Sequence, residues 1–335
     1  MLRQLHRYLG LIVTASCLSG GAFAEDVDTL TLEEIRDKYE LPASRYMNVD
    51  GVDLHYVDEG AGQPVLILHA SWMNLHSWEG IASQLKERYR VIRFDFPTAG
   101  LSGFETVATP ADKFNIIERN VDILGRFVDA IELEQFFLVG TSSGGSVGFR
   151  YAARNPDRVE RLVLINSAGM PRTAQTDPNR GRPEFQKWAD MPVKPREFWA
   201  YGFSINYLSS DPPPDWLIDQ VYDFQRRQDL NKTLTENYRF ATGDPRGILA
   251  EIQAPTLIMW GLSNPTVMHL EADVMQHWMT GAPTLIRKYE GRGHYPYMED
   301  EATIYRDLSA FLAGQLDGEL RRTAMLKPDS EFFED

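Results

Sequence analysis

The residues whose spacing points to chemistry are one serine, one histidine and the glycines around them. Ser142 lies in Gly140-Thr141-Ser142-Ser143-Gly144, directly after the apolar run Phe136-Phe137-Leu138-Val139 and before a helix-compatible stretch. Gly-x-Ser-x-Gly between strand and helix is the pattern of a nucleophile elbow, a strained turn that lifts a serine hydroxyl from the carboxyl end of a sheet. Small residues at Gly140 and Gly144 let the neighbouring backbones approach. A second match, Gly144-Gly145-Ser146-Val147-Gly148, has no strand before it, so Ser146 reads as a small residue packed within the helix. His294, in Gly291-Arg292-Gly293-His294-Tyr295-Pro296, follows the last apolar run and precedes the last helical one. From such a loop an imidazole can take the serine proton during attack and return it to a leaving group. His55, His76, His269 and His277 read as packing or surface residues.

These groups need a scaffold that brings position 142 to position 294. From Arg45 onward, short apolar runs alternate with longer amphipathic ones, the pattern of helices covering both faces of a mostly parallel sheet. Eight strands are expected: Tyr46–Val49 and Leu54–Asp58 as a hairpin about Asp50-Gly51, then Val65–Leu68, Val91–Phe94, Phe136–Val139, Leu162–Ile165, Thr256–Trp260 and Thr284–Tyr289. Helices are expected at Trp78–Lys86, Asn115–Ile131, Ser143–Arg154 and Ala302–Leu312. About 85 residues separate the sixth strand from the seventh, too many for a loop. That stretch is rich in aromatics, including Trp188, Trp199, Phe203, Tyr207 and Trp216, and reads as a helical cap with a mostly apolar pocket beneath it.

Acidic residues outnumber basic ones 48 to 34, for a formal net charge of −14, and no Lys/Arg cluster forms a stripe that would track a phosphate backbone. Nucleic acid is therefore excluded as an expected partner. Arg3 and Arg7 precede the apolar stretch Leu9–Leu18, and Ala22-Phe23-Ala24 has the small-x-small form of a signal-peptidase site. The expectation is an exported, periplasmic or secreted protein with a mature start at Glu25. The apolar stretch is too short to cross a bilayer and no later one is suitable, so no transmembrane segment is expected in the mature chain. Cys17 is the single cysteine and lies inside the leader. Its lipidation is the lesser reading, because Thr14-Ala15-Ser16 is a poor lipoprotein motif. Cleavage after Ala24 leaves no cysteine for disulfides, thiolate metal sites or a nucleophile. No His/Asp/Glu cluster has metal-ligand spacing, and no cofactor is implied.

From about Tyr46 to Leu312 the chain resembles the α/β-hydrolase superfamily, in its branch of capped esterases, carbon-carbon bond hydrolases, epoxide hydrolases and haloalkane dehalogenases. Leu68-His69-Ala70-Ser71 is similar to the family's His-Gly-x segment, and Asp95-Phe96-Pro97-Thr98-Ala99-Gly100-Leu101-Ser102 to its Asp-x-Pro-Gly-x-Gly-x-Ser turn, with a glycine lost at Ala70 and at Thr98. The resemblance implies an α/β-hydrolase sheet of eight mostly parallel strands with a helical cap inserted between strands six and seven. The corresponding division is a signal peptide at 1–24, an N-terminal extension at 25–44, a core at 45–168 and 251–313, a cap at 169–250 and a tail at 314–335. It also implies an oxyanion hole made by the backbone N–H groups of Ser71 and Ser143.

Serine at 142 argues against the dehalogenase and epoxide hydrolase relatives, which resemble this chain but use an aspartate there. The family's acid follows the seventh strand in Trp-Gly-x-x-Asp-Pro, and here the stretch is Trp260-Gly261-Leu262-Ser263-Asn264-Pro265. The other usual place is Asn166. Asn264 is thus implied as an orienting third member beside Ser142 and His294, with the risk of stabilising the wrong imidazole tautomer. Glu271 and Asp273 read as surface residues of the next helix, and Glu299 and Asp300 as structural. The expected function is a serine hydrolase of carboxylesterase or lactonase type acting on a small hydrophobic ester or lactone. Two alternatives stand beside it: a catalytically weakened binding protein of the same fold, and a carbon-carbon bond hydrolase.

Overall fold

The computed structural model describes residues 29–97, 99–103, 115–171, 183–188, 191, 193–206, 212–229 and 243–322. The leader with Cys17, Thr98, Tyr207 and the tail beyond 322 lie outside them. In β3 (Pro64–Leu68), β5 (Phe136–Thr141) and β6 (Val159–Ile165) most residues are apolar and buried, as in strands covered on both faces. Leu66, Leu68, Leu138, Leu162 and Leu164 join one core, while Val65, Ile67, Val139, Val163 and Ile165 join the other. Successive side chains on a strand point to opposite faces, so the apolar runs supply both layers at once. With β1 (Ser44–Val49), β2 (Val52–Glu59), β4 (Arg90–Phe94), β7 (Thr256–Gly261) and β8 (Thr284–Tyr289), the sheet has eight strands in the order β1-β2-β4-β3-β5-β6-β7-β8. The β1/β2 and β2/β4 pairs are antiparallel and the others parallel. The fold class expected from the sequence is the one observed.

Among the described residues the helices are α1 (Leu32–Tyr39), α2 (Glu79–Leu85), α3 (Ile116–Ala130), α4 (Ser143–Arg154), α5 (Arg196–Asn206), α6 (Asp215–Gln225), α7 (Arg246–Glu251), α8 (Leu270–Trp278), α9 (Pro296–Glu299) and α10 (Glu301–Leu312). Asn115 is not the first residue of α3 but its cap, its side chain accepting from the N–H groups of Ile117 and Glu118. The helix expected from Trp78 begins one residue later, after a 3-10 turn at Leu75–Trp78 capped by Asn74. Between β6 and β7 the chain forms a 3-10 turn at Pro183–Trp188 and then α5, α6 and α7. Leu249 and Ile252, in and just after α7, belong to the same core as Leu138. The chain is therefore back against the sheet layer by the time α7 forms.

The segment before β1 straps α6 to the sheet. Leu30 exchanges backbone hydrogen bonds with Arg226 and Gln228, Tyr39 donates its hydroxyl to Asp223 at 2.7 Å, and Ile35 is buried with Leu101 and Phe224. The turn after β4 is braced from within. Asp95, fully buried, accepts from the N–H of Leu75 at 2.8 Å, from that of Leu101 at 2.9 Å and from Nδ1 of His55 at 2.7 Å. His55 is thereby an interior partner of a carboxylate rather than a surface residue. Burial by itself raises the Asp95 pKa, but the hydrogen bond and charge of His55 outweigh it and hold the carboxyl at about 2.

Breaking such a buried pair from one side leaves the other partner stranded, so Asp95→Ala should lower the unfolding free energy by about 3–5 kcal/mol in urea titrations. Because the folded-state pKa lies below the unfolded value, the Asp95 contribution is complete above the unfolded pKa of about 3.9 and is lost as pH falls toward about 2. Wild type should show this acid loss, and Asp95→Ala should lack that component.

Candidate active site

The end of β5 turns directly into α4, and Ser142 occupies the turn at φ 52° and ψ −120°. This is strained for a residue with a Cβ, at a cost of about 1–3 kcal/mol. Hydrogen bonds to the turn hold it: Ser142 N–H donates to Ile165 O at 3.0 Å, and Ser142 O accepts from Ser146 N–H at 3.1 Å and from Ala168 N–H at 2.9 Å. The two flanking glycines are required by contact. A Cβ on Gly140 would meet Gly144 O at 2.6 Å, and one on Gly144 would meet His69 O at 2.5 Å. Ser146 sits inside α4, fully buried and bonded to Arg150, as packing.

Ser142, His294 and Asn264 are all buried, and the chain of contacts between them is continuous. His294 Nε2 is 3.0 Å from Ser142 Oγ, and Nδ1 is 3.1 Å from Asn264 Oδ1. The same Oδ1 accepts from the N–H groups of Thr266 at 2.9 Å and Val267 at 3.2 Å. These two donors identify the atom facing the imidazole as the oxygen, and an oxygen there requires a proton on Nδ1. Nε2 is then the unprotonated nitrogen, facing the serine hydroxyl. The wrong-tautomer handicap expected from an asparagine does not apply to this geometry; what is missing is only the negative charge. Among the described residues, Asn264 Nδ2 has no hydrogen-bond partner and is buried.

Asn166 takes a different part. Its side chain donates to the backbone carbonyls of Gly293 at 3.0 Å and His294 at 2.8 Å and accepts from Gly261 N–H at 3.0 Å, so it ties the histidine loop to the ends of β6 and β7. Glu299 accepts from the N–H groups of Gly293 and Tyr295 and holds the loop from its other side. Asp300 caps α10 and pairs with Arg292, Asp273 pairs with Lys288, and Glu271 accepts from Met268 N–H.

Ser71 and Ser143 face each other where the β3 loop meets α4, the Ser71 hydroxyl donating to that of Ser143 at 2.9 Å. Among the described residues neither backbone N–H has a protein acceptor, as expected for Ser143 in the first turn of a helix. His69 shapes this loop as a neutral ring: Nδ1–H donates to Ala70 O at 2.8 Å and Nε2 accepts from Phe96 N–H at 3.0 Å. Burial pushes its pKa down and keeps the ring uncharged. The next residue, Trp72, has φ 67° and packs edge-on against Trp199 of α5.

A cavity of about 280 Å³ opens beside Ser71 and Ser143, with Phe96, Ile116, Ile117 and Phe224 on its wall and Asn120 among them. Nothing in the sequence singles out Asn120 or Trp72, because their positions depend on how α3 and α5 meet the loop after β3. Among the described residues no group of three or more His, Cys, Asp or Glu could hold a metal ion. No described helix is long and apolar enough to cross a membrane. The arrangement can lower the barrier to serine attack on a carbonyl, with a base at Nε2 and two N–H donors beside the nucleophile.

The sequence pattern of the alpha/beta hydrolase fold family matches residues 63–301. A 2-hydroxymuconate semialdehyde hydrolase of Pseudomonas sp. (strain CF600) is 36% identical over 123 residues, 36% of this chain and 42% of that protein. A 2-hydroxy-6-oxononadienedioate/2-hydroxy-6-oxononatrienedioate hydrolase of Paraburkholderia xenovorans (strain LB400) is 29% identical over 236 residues, 66% of this chain and 79% of that protein. The alignment with the first thus spans under half of its relative. A membrane phospholipase A superposes with a TM-score of 0.63 at 24% identity, covering 81% of this chain and 86% of that one, which is a likeness of fold.

Asn264→Asp should move the titration of the His294 imidazole to higher pH, since a carboxylate favours the charged ring. Asn166→Ala should leave that titration in place and lower the melting temperature instead. Histidine NMR and thermal unfolding of the two variants separate the roles.

Proposed function

This chain belongs to the α/β-hydrolase fold family, and from that premise we propose that it is a serine hydrolase of carboxylesterase or lactonase type, cleaving a small hydrophobic ester or lactone. The observation that carries the reading is the continuous path from Ser142 Oγ through the imidazole of His294 to Asn264 Oδ1. In this proposal Ser142 Oγ attacks the carbonyl carbon while His294 Nε2 takes its proton. The Ser71 and Ser143 N–H groups stabilise the oxyanion, and the imidazolium returns the proton to the leaving alcohol. Water, deprotonated by the same nitrogen, then releases the acid from Ser142. Asn264 keeps Nδ1 protonated throughout but offers no counter-charge, so the imidazolium is less stabilised than beside a carboxylate.

A second reading uses the same machinery on a carbon-carbon bond activated by a neighbouring ketone. Relatives acting on 2-hydroxymuconate semialdehyde and related compounds favour it. The state of Arg227 at the cavity wall favours the ester: its guanidinium is paired with Asp229 and donates to the carbonyls of Gly100 and Ser102, which leaves an acidic substrate without a dedicated counter-charge among the described residues of the wall. The same proposal makes the enzyme an exported one with residues 1–24 removed, and the intact mass of protein from a periplasmic fraction should correspond to a chain starting at Glu25.

Labelling of the mature protein with a fluorophosphonate, followed by peptide mapping, tests the central claim. Attachment should fall on Ser142 and vanish in Ser142→Ala. A folded protein that stays unlabelled moves the reading to a binding protein of this fold. Asn264→Asp should raise kcat by far less than the roughly 10⁴-fold cost of a wrong tautomer, because the tautomer is already the productive one.

A further inference from the structure

We propose that Asn120 is a specificity-determining residue that binds a hydroxyl group on the substrate, away from the bond that is cleaved; the inference rests on the hydrolase reading above. Asn120 lies in the first half of α3 and lines the cavity beside Ser71 and Ser143. It is only 6% exposed, and its Oδ1 has no hydrogen-bond partner among the described residues. A buried amide oxygen without a donor destabilises the fold, and leucine at such a helical position would bury apolar surface instead. A residue of that kind persists where a ligand completes it.

Two other polar side chains on the wall are already engaged. Asn74 Oδ1 accepts from His76 N–H at 2.9 Å and its Nδ2 donates to Gln220 at 3.3 Å. Arg227 is neutralised by Asp229 and holds two backbone carbonyls. The surrounding surface, from Phe96, Ile116, Ile117 and Phe224, is apolar. An unsatisfied oxygen in such a wall calls for a donor, and a cationic donor would enter without a counter-charge, at a high desolvation cost. An uncharged hydroxyl meets the requirement. It donates a hydrogen bond to Oδ1, or accepts one from Nδ2 if the amide turns over. The cavity, at about 280 Å³, sits at the small end of ligand pockets, about 300–1,000 Å³, so the substrate is a short hydroxylated ester or lactone rather than a long-chain lipid.

The test uses the Ser142→Ala protein, which cannot turn esters over, and a short alkyl ester together with isomers hydroxylated at one carbon each. Calorimetric titration should find one isomer bound at least about 10-fold more tightly than the plain ester, the ratio expected of one satisfied hydrogen bond in a buried site. Adding Asn120→Leu should abolish that preference while the plain ester binds at least as well as before. Urea unfolding should find Asn120→Leu no less stable than its parent. A preference that survives the leucine, no preference at all, or a clear loss of stability overturns the proposal. The outcomes for the two readings are separable: a preference erased by Asn120→Leu in a protein whose Ser142 resists the fluorophosphonate keeps the recognition and removes the hydrolase.

Discussion

Ser142 is held in a left-handed backbone conformation that a side chain pays for, and the surrounding structure is arranged to keep it there. The turn exists because β5 must pass into α4 without a loop, with Gly140 against Gly144 and Gly144 against the carbonyl of His69. No other residue type fits those two approaches. The hydrogen bonds that Ser142 donates to Ile165 and accepts from Ser146 and Ala168 extend the constraint to the end of β6. The approach of α4 to the β3 loop also brings Ser143 against Ser71, so the paired N–H donors follow from the same packing that strains the serine.

The ring nitrogen away from Ser142 meets an amide where a carboxylate would be the simpler choice, and two asparagines divide the work. Asn264 presents an oxygen whose identity is set by two backbone donors, and this decides which ring nitrogen carries the proton. Asn166 fixes the loop from which the ring projects. The two amides thus supply orientation and tautomer but, being neutral, no counter-charge of their own for the imidazolium. The interior carboxylate nearest in kind to a catalytic one, Asp95, is committed to His55 and to two backbone N–H groups, where it braces the turn bordering the cavity.

The strap formed by residues 29–39 connects these features to the helices inserted between β6 and β7. Through Leu30, Tyr39 and Ile35 it holds the end of α6, and that end supplies Phe224 and Arg227 to the cavity. The shape of the pocket therefore depends on a segment remote in sequence from every group that can do chemistry. The aromatic side chains of α5 close on Trp72, which follows the Ser71 donor directly.

Local pattern was sufficient wherever a residue's role follows from its immediate neighbours. Short apolar runs located all eight strands, and in β3, β5 and β6 burial on both faces leaves few alternatives. Gly-x-Ser-x-Gly after an apolar strand located the elbow, because the steric requirement is written into adjacent positions. Chain order was enough to select His294 from the other histidines as the partner of Ser142. What depended on atoms from distant segments was not legible. His55 reads as an ordinary strand residue until Asp95 arrives from β4. Asn264 reads as an orienting group that risks the wrong tautomer until the donors of Thr266 and Val267 determine which end of its amide meets the ring. Asn120 is one more polar residue on an amphipathic helix until the fold buries it in an apolar wall without a partner. Sequence by itself determined the scaffold and the position of the strained serine, since both are set by short-range sterics and periodic burial. Tertiary structure decided the tautomer, the brace and the unpaired amide, since hydrogen bonds between remote residues exist only once the chain has folded.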